Sequence, residues 1–152
     1  MDFGESSSWA GRWRLTKADG FVEWLSARGL SLDEAEAEVD ALEKHTTLNI
    51  SLADDVVSFM WISAVRWKLR KVKQVREYLL DGTTPLVENV RGQVISTWAS
   101  IEGSTLVHRV DGFLGAETHL RDVSDGRLVQ QMSLDVPTGV ASDSCTLIWR
   151  RV

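Results

Sequence analysis

The sequence predicts an all-β protein: an antiparallel up-and-down β-barrel of about ten strands with a two-helix lid between the first and second strands. Three observations carry this reading. Apolar periodicity is helical only between about residues 19 and 44, and strand-like almost everywhere after that. Tight-turn sequences at Asp54-Asp55, Gly103-Ser104, Asp111-Gly112 and Asp125-Gly126 divide the later chain into short strands, as in a meander. A meander of that length leaves exposed edges unless it closes on itself, and two helices placed before it would sit over one open end.

The elements follow in order. Residues 1–8 are polar and expected to be flexible, and 9–152 read as one barrel domain. Residues 9–15 alternate around Gly11 as a first strand. Asp19 is placed to cap a short helix ending near Arg28; Phe21, Trp24 and Leu25 give it an apolar stripe, and Gly29 stops it. Ser31-Leu32-Asp33-Glu34 is a capping box and opens a second helix to about Lys44, with Ala35, Val39 and Leu42 on one side. Strands are expected at 47–52, 56–63 and 67–80. Residues 82–92 read as an irregular or elongated connection. Further strands are expected at 93–101, 105–110, 117–123, 128–136 and 143–152.

Bulk properties narrow the function. A chain of 152 residues, 43% apolar and 26% charged, suits one globular domain with a sizeable core. A net charge of -5 argues against nucleic-acid binding, which needs a basic surface. The one cysteine, Cys145, cannot form an intrachain disulfide and fits a reducing, cytoplasmic compartment. The opening MDFGESSSWAG has no basic start and no apolar run, so no secretory signal is read in it. No segment approaches the roughly 20 apolar residues that span a bilayer. His45, His108 and His119 lack metal-ligand spacing, and no phosphate loop or Gly-x-Ser-x-Gly is present, so neither metal nor cofactor is expected. Seven tryptophans are many for this length; they suit either core packing or an aromatic-lined ligand cavity.

The chain resembles the intracellular lipid-binding proteins, the fatty-acid- and retinoid-binding family. The residues carrying the resemblance are WAGRWRLTKADGFVEWLSARGLS at the start, VREYLLDG in the middle, STLVHRVDGFLGAETHLRDVSDGRLVQQMSL over the late hairpins and SDSCTLIWRRV at the close. The resemblance implies a non-enzymatic, monomeric carrier of a hydrophobic small molecule held inside the barrel. It also implies a ligand site. Phe21, Trp24, Leu25 and Leu30 match helical positions that face the cavity, and Val65 falls where the family has an aromatic at the portal. Trp98, His108, Val110, Leu120, Asp122, Cys145, Leu147 and Trp149 complete the expected lining.

Three of those positions depart from the family. Its inward arginine on the late hairpin is matched by Asp122, and its Arg-x-Tyr on the closing strand by Leu147 and Trp149. In that register the anion site is missing, and a neutral or weakly polar ligand is expected. A slip of one residue would turn Arg121 inward instead. In the favoured register His108 points inward and pairs with Asp122, the carboxylate raising the histidine pKa. The alternative function is a small enzyme on the same barrel, isomerase- or luciferase-like, with His108 as base and Asp122 as its orienting acid. The cationic run Arg66, Lys68, Arg70, Lys71 and Lys73 would give transient contact with anionic membranes during ligand transfer.

Overall fold

A computed structural model describes residues 9–65 and 70–152, without the side chains at 64, 65, 70–72 and 141. The expected flexible stretch 1–8 and the cations Arg66 and Lys68 therefore lie outside the described residues. So do the side chains of Val65, Arg70 and Lys71.

Ten strands and two helices alternate as the periodicity requires. β1 (Gly11–Asp19) leads to α1 (Phe21–Ala27) and α2 (Leu32–His45). Then come β2 (Thr46–Ala53), β3 (Val56–Val65), β4 (Arg70–Leu79) and β5 (Leu86–Val90). β6 (Gln93–Glu102), β7 (Thr105–Gly112), β8 (Gly115–Ser124), β9 (Arg127–Leu134) and β10 (Ser144–Arg151) complete the chain. One sheet runs in the order β4-β3-β2-β1-β10-β9-β8-β7-β6-β5. The first strand pairs with the last, so the meander wraps into a barrel. Its two unpaired edges, β4 and β5, are joined by an ion pair, Arg76 Nε to Glu88 Oε1 at 2.7 Å.

The helices form for the reasons the sequence states, with one exception. Ser31 accepts from the Glu34 backbone N–H, and the Glu34 carboxylate accepts from the Ser31 N–H, both at 3.1 Å. This reciprocal cap satisfies two otherwise orphaned donors of α2. Asp19 does not cap α1. It ends β1, beside Lys17, and Gly20 stands at the N-cap with a positive φ of 76°. An added Cβ there would lie 3.3 Å from the Ser144 carbonyl, so glycine is favoured by both φ and space.

The stretch 82–92 is not an irregular connection throughout: β5 lies inside it and pairs antiparallel with β6. Its alternation is short, and Pro85 stands directly before it.

Trp9 and Trp13 are fully buried in the core, with Leu48, Val57, Leu106 and Leu128. The Trp13 indole donates to the Trp9 carbonyl at 2.9 Å, and the Arg151 guanidinium lies 4.3 Å from the Trp13 ring centre. Trp13 thus packs in the core and lines neither of the lobes described below.

Candidate functional site

Above this core, under the helices, the barrel holds two contiguous lobes. The first has a volume of about 340 Å³ and reaches from α2 to β10, with Phe21, Leu42, Leu48, Leu147 and Trp149 in its wall. The second has about 300 Å³ and lies toward β5–β7, with Phe59, Tyr78, Val90, Ile95 and Val110. Trp61, Arg76, Arg121, Gln130 and Met132 line both.

The register of β7 against β8 decides the chemistry. The hairpin turns at Phe113-Leu114, two residues after the expected Asp111-Gly112, and Gly112 pairs with Gly115. A two-residue loop places even-numbered residues of β7 opposite odd-numbered residues of β8. His108 is therefore opposite His119, and Leu106 opposite Arg121. His108 points inward as expected and is 3% exposed. The expected partner is corrected: Arg121, not Asp122, faces the cavity. Asp122 stands on the outer face, where the Thr105 hydroxyl donates to its carboxylate at 2.5 Å.

The same parity turns Leu120 outward, opposite Val107 and out of phase with His119 and Arg121. Trp98 is also corrected. It pairs with exposed Arg109, whereas its neighbour Ala99 pairs with His108 and shares the inner face.

Of the other expected lining residues, Phe21, Val110, Leu147 and Trp149 line a lobe. Trp24 is buried under the lid, with the Arg28 guanidinium 3.3 Å from its ring centre and the His119 ring edge-on at 6.1 Å. Leu25 packs half-buried against the core. Leu30 is half-buried and Cys145 buried on the inner face; neither lines these two lobes. Burial pushes the Cys145 thiol up to about 12, so it is a packing group rather than a thiolate.

The interior is more polar than the sequence suggested, and its charges do not cancel. Arg28, at the end of α1, donates through Nε and Nη2 to one oxygen of Glu117, at 3.1 and 3.0 Å. The other oxygen accepts from His119 Nε2 at 2.9 Å. Both members of the Arg28–Glu117 pair are almost fully buried, so this link fastens the lid to β8. Arg76 and Glu88 neutralise each other across the seam.

That leaves Arg121, 7% exposed, with no carboxylate paired to it among the described residues. Burial lowers its pKa to about 10, which still leaves it charged at neutral pH. Its Nη1 donates to His108 Nδ1 at 2.9 Å, and its face lies 4.7 Å from the Phe59 ring centre. Because Nδ1 accepts, a neutral His108 carries its proton on Nε2.

Burial, then the charge of Arg121 and the neighbouring His119, hold His108 well below the usual histidine range. The expected upward shift is thus reversed, because the partner is a cation and not a carboxylate. Two buried atoms, Arg121 Nε and His108 Nε2, have no hydrogen-bond partner. Both are donors, and both residues line the second lobe. Gln130 is occupied, accepting from Trp149 Nε1 at 3.2 Å and donating to the Met132 sulfur at 3.4 Å.

The sequence shows Arg121 only as the slipped-register alternative, and it gives no sign of Arg28, Trp61 or Glu117 at the site. Those four are brought together by barrel closure, over separations that no local pattern encodes.

No protein-family model and no curated protein sequence matches the chain. Solved structures do match it, over nearly its whole length. The REP1-NXSQ fatty acid transporter superposes with a TM-score of 0.71 at 20% identity, covering 94% of this chain and 95% of that one. The fluorescent protein UnaG gives 0.72 at 18%, covering 96% and 98%. The fatty-acid-binding protein of Manduca sexta gives 0.68 at 15%, covering 93% and 97%. This likeness establishes the fold: the lidded ten-stranded barrel of the fatty-acid-binding proteins.

Proposed function

We propose that the protein belongs to the intracellular lipid-binding proteins and carries a hydrophobic small molecule whose acidic group lies against Arg121. One observation carries this reading: a buried guanidinium without a counter-ion among the described residues, lining a largely apolar cavity of two lobes. Burial of ligand carbon supplies most of the affinity, at about 25 cal/mol per Å² before association costs. The acidic group supplies orientation. It accepts from the free Arg121 Nε–H and the His108 Nε2–H, and it neutralises a charge that is costly to bury alone.

The expectation of a neutral ligand rested on the loss of both inward arginines, and Arg121 removes half of that ground. A catalytic His108–Asp122 pair is not formed, because the two side chains stand on opposite faces of the sheet. The His119–Glu117 contact resembles a base with its orienting acid, but Arg28 already holds that carboxylate. The reading is therefore a carrier rather than an enzyme. A cytoplasmic, monomeric protein that meets anionic membranes through the cationic run 66–73 belongs to the same proposal.

Titration with oleate and with oleyl alcohol near pH 7.5 tests it. Oleate should bind about tenfold or more tightly, and Arg121→Gln should erase the difference. Equal binding of both ligands would remove Arg121 from the site. Extraction of the purified protein after native mass spectrometry identifies the class of bound molecule independently.

A further inference from the structure

The cation that needs a counter-ion does not lie at an end of the cavity. Arg121 is one of five residues that line both lobes, so it stands at the saddle between them. Trp61 and Met132, a flat ring and a pliable thioether, flank the same passage. Beyond the saddle each lobe has an apolar wall of its own: Phe21, Leu42 and Leu48 on one side, Val90, Ile95 and Val110 on the other.

A single chain ending in a carboxylate, with its head on Arg121, extends into one lobe and leaves the other wall wet. A molecule whose acid sits mid-skeleton dries both walls while placing its charge at the saddle. At about 25 cal/mol per Å², even a short second arm outweighs the loss of reach in the first.

We infer that the ligand is a two-armed lipophilic acid, with its carboxylate near the middle of an apolar skeleton and one arm in each lobe. This rests on the carrier reading above and adds the shape of the cargo to it. The polar groups at the saddle are then not general solvation for any lipid head. They form a selector for where along the molecule the charge lies.

Two constitutional isomers make the test clean: α-hexyldecanoic acid, whose carboxylate sits between two arms, and hexadecanoic acid, whose carboxylate is terminal. Calorimetric titration of the full chain should give α-hexyldecanoate an advantage of about tenfold or more. Thr97→Phe adds bulk in the second lobe without touching the saddle. It should cancel that advantage, because the second arm loses its lobe. Arg121→Gln should weaken both acids, and near-ultraviolet circular dichroism would show that each variant keeps the fold.

Hexadecanoate binding as tightly as its isomer, or more tightly, would overturn the two-armed ligand and leave the carrier reading standing. An advantage that survives Thr97→Phe would likewise overturn it. Binding of neither acid, together with no preference for oleate over its alcohol, would overturn the carrier reading as well.

Discussion

His108 and Arg121 form a pair in which a neutral ring accepts from a cation, and this fixes the pH behaviour at the residue scale. A proton added to His108 would face burial and a neighbouring positive charge together. Its folded pKa is depressed, so the unfolded chain binds the proton more readily. The sign follows: His108 leaves stability intact above the unfolded value of about 6.5 and costs stability as pH falls below it. In an NMR titration His108 should stay neutral through pH 6, Asp122→Asn should not change it, and Arg121→Gln should move its pKa upward. A response to Asp122→Asn would contradict the observed register. The tryptophans divide in a similar way. Trp13→Ala should cost about 3–5 kcal/mol in urea unfolding, as large core truncations do. Trp149 lines the first lobe, so Trp149→Ala should weaken ligand binding more than it weakens the fold.

At the scale of elements, the lid is attached by one buried ion pair and opened by one exposed cap. Glu117→Gln would leave Arg28 buried opposite a neutral group, a situation that typically costs about 3–5 kcal/mol. The exposed Lys17–Asp19 pair is a useful control, since Asp19→Asn should change stability by no more than about 1 kcal/mol. Ser31→Ala should fall between, at about 0.5–2 kcal/mol, through loss of the α2 cap. Denaturant midpoints of the three variants rank them directly.

The β7–β8 hairpin shows why one element can be read correctly and its function missed. Alternation located both strands to within a few residues, but alternation has a period of two and cannot say which phase faces in. The chain turns at Phe113-Leu114, two residues beyond Asp111-Gly112, and a shift of two keeps the phase; it is the two-residue length of the loop, pairing even with odd, that sets Arg121 rather than Asp122 on the face of His108. The capping box, by contrast, is a local bond between residues three apart, and it was legible as written.

For the whole molecule, the change from helical to strand periodicity was enough to suggest the barrel and its lid, and the resemblance supplied the closing strand. Charge balance inside the barrel was not legible, because Arg28, Arg76 and Arg121 meet their surroundings only after the sheet curls. β5 was hidden by its brevity and by Pro85. The seam beside it has a wider consequence. A tube slit along its length resists bending but shears easily, since no ladder of backbone bonds ties β4 to β5. Amide exchange should therefore be fastest along those two edges and slowest in β8 and β9, whose ladders run along both sides. The Arg76–Glu88 tie across the slit is about a quarter exposed, and dissolved salt weakens such ties. On the carrier reading proposed above, a bound molecule then has a side door as well as a lid, and raising ionic strength should speed its exit without changing any contact it makes inside.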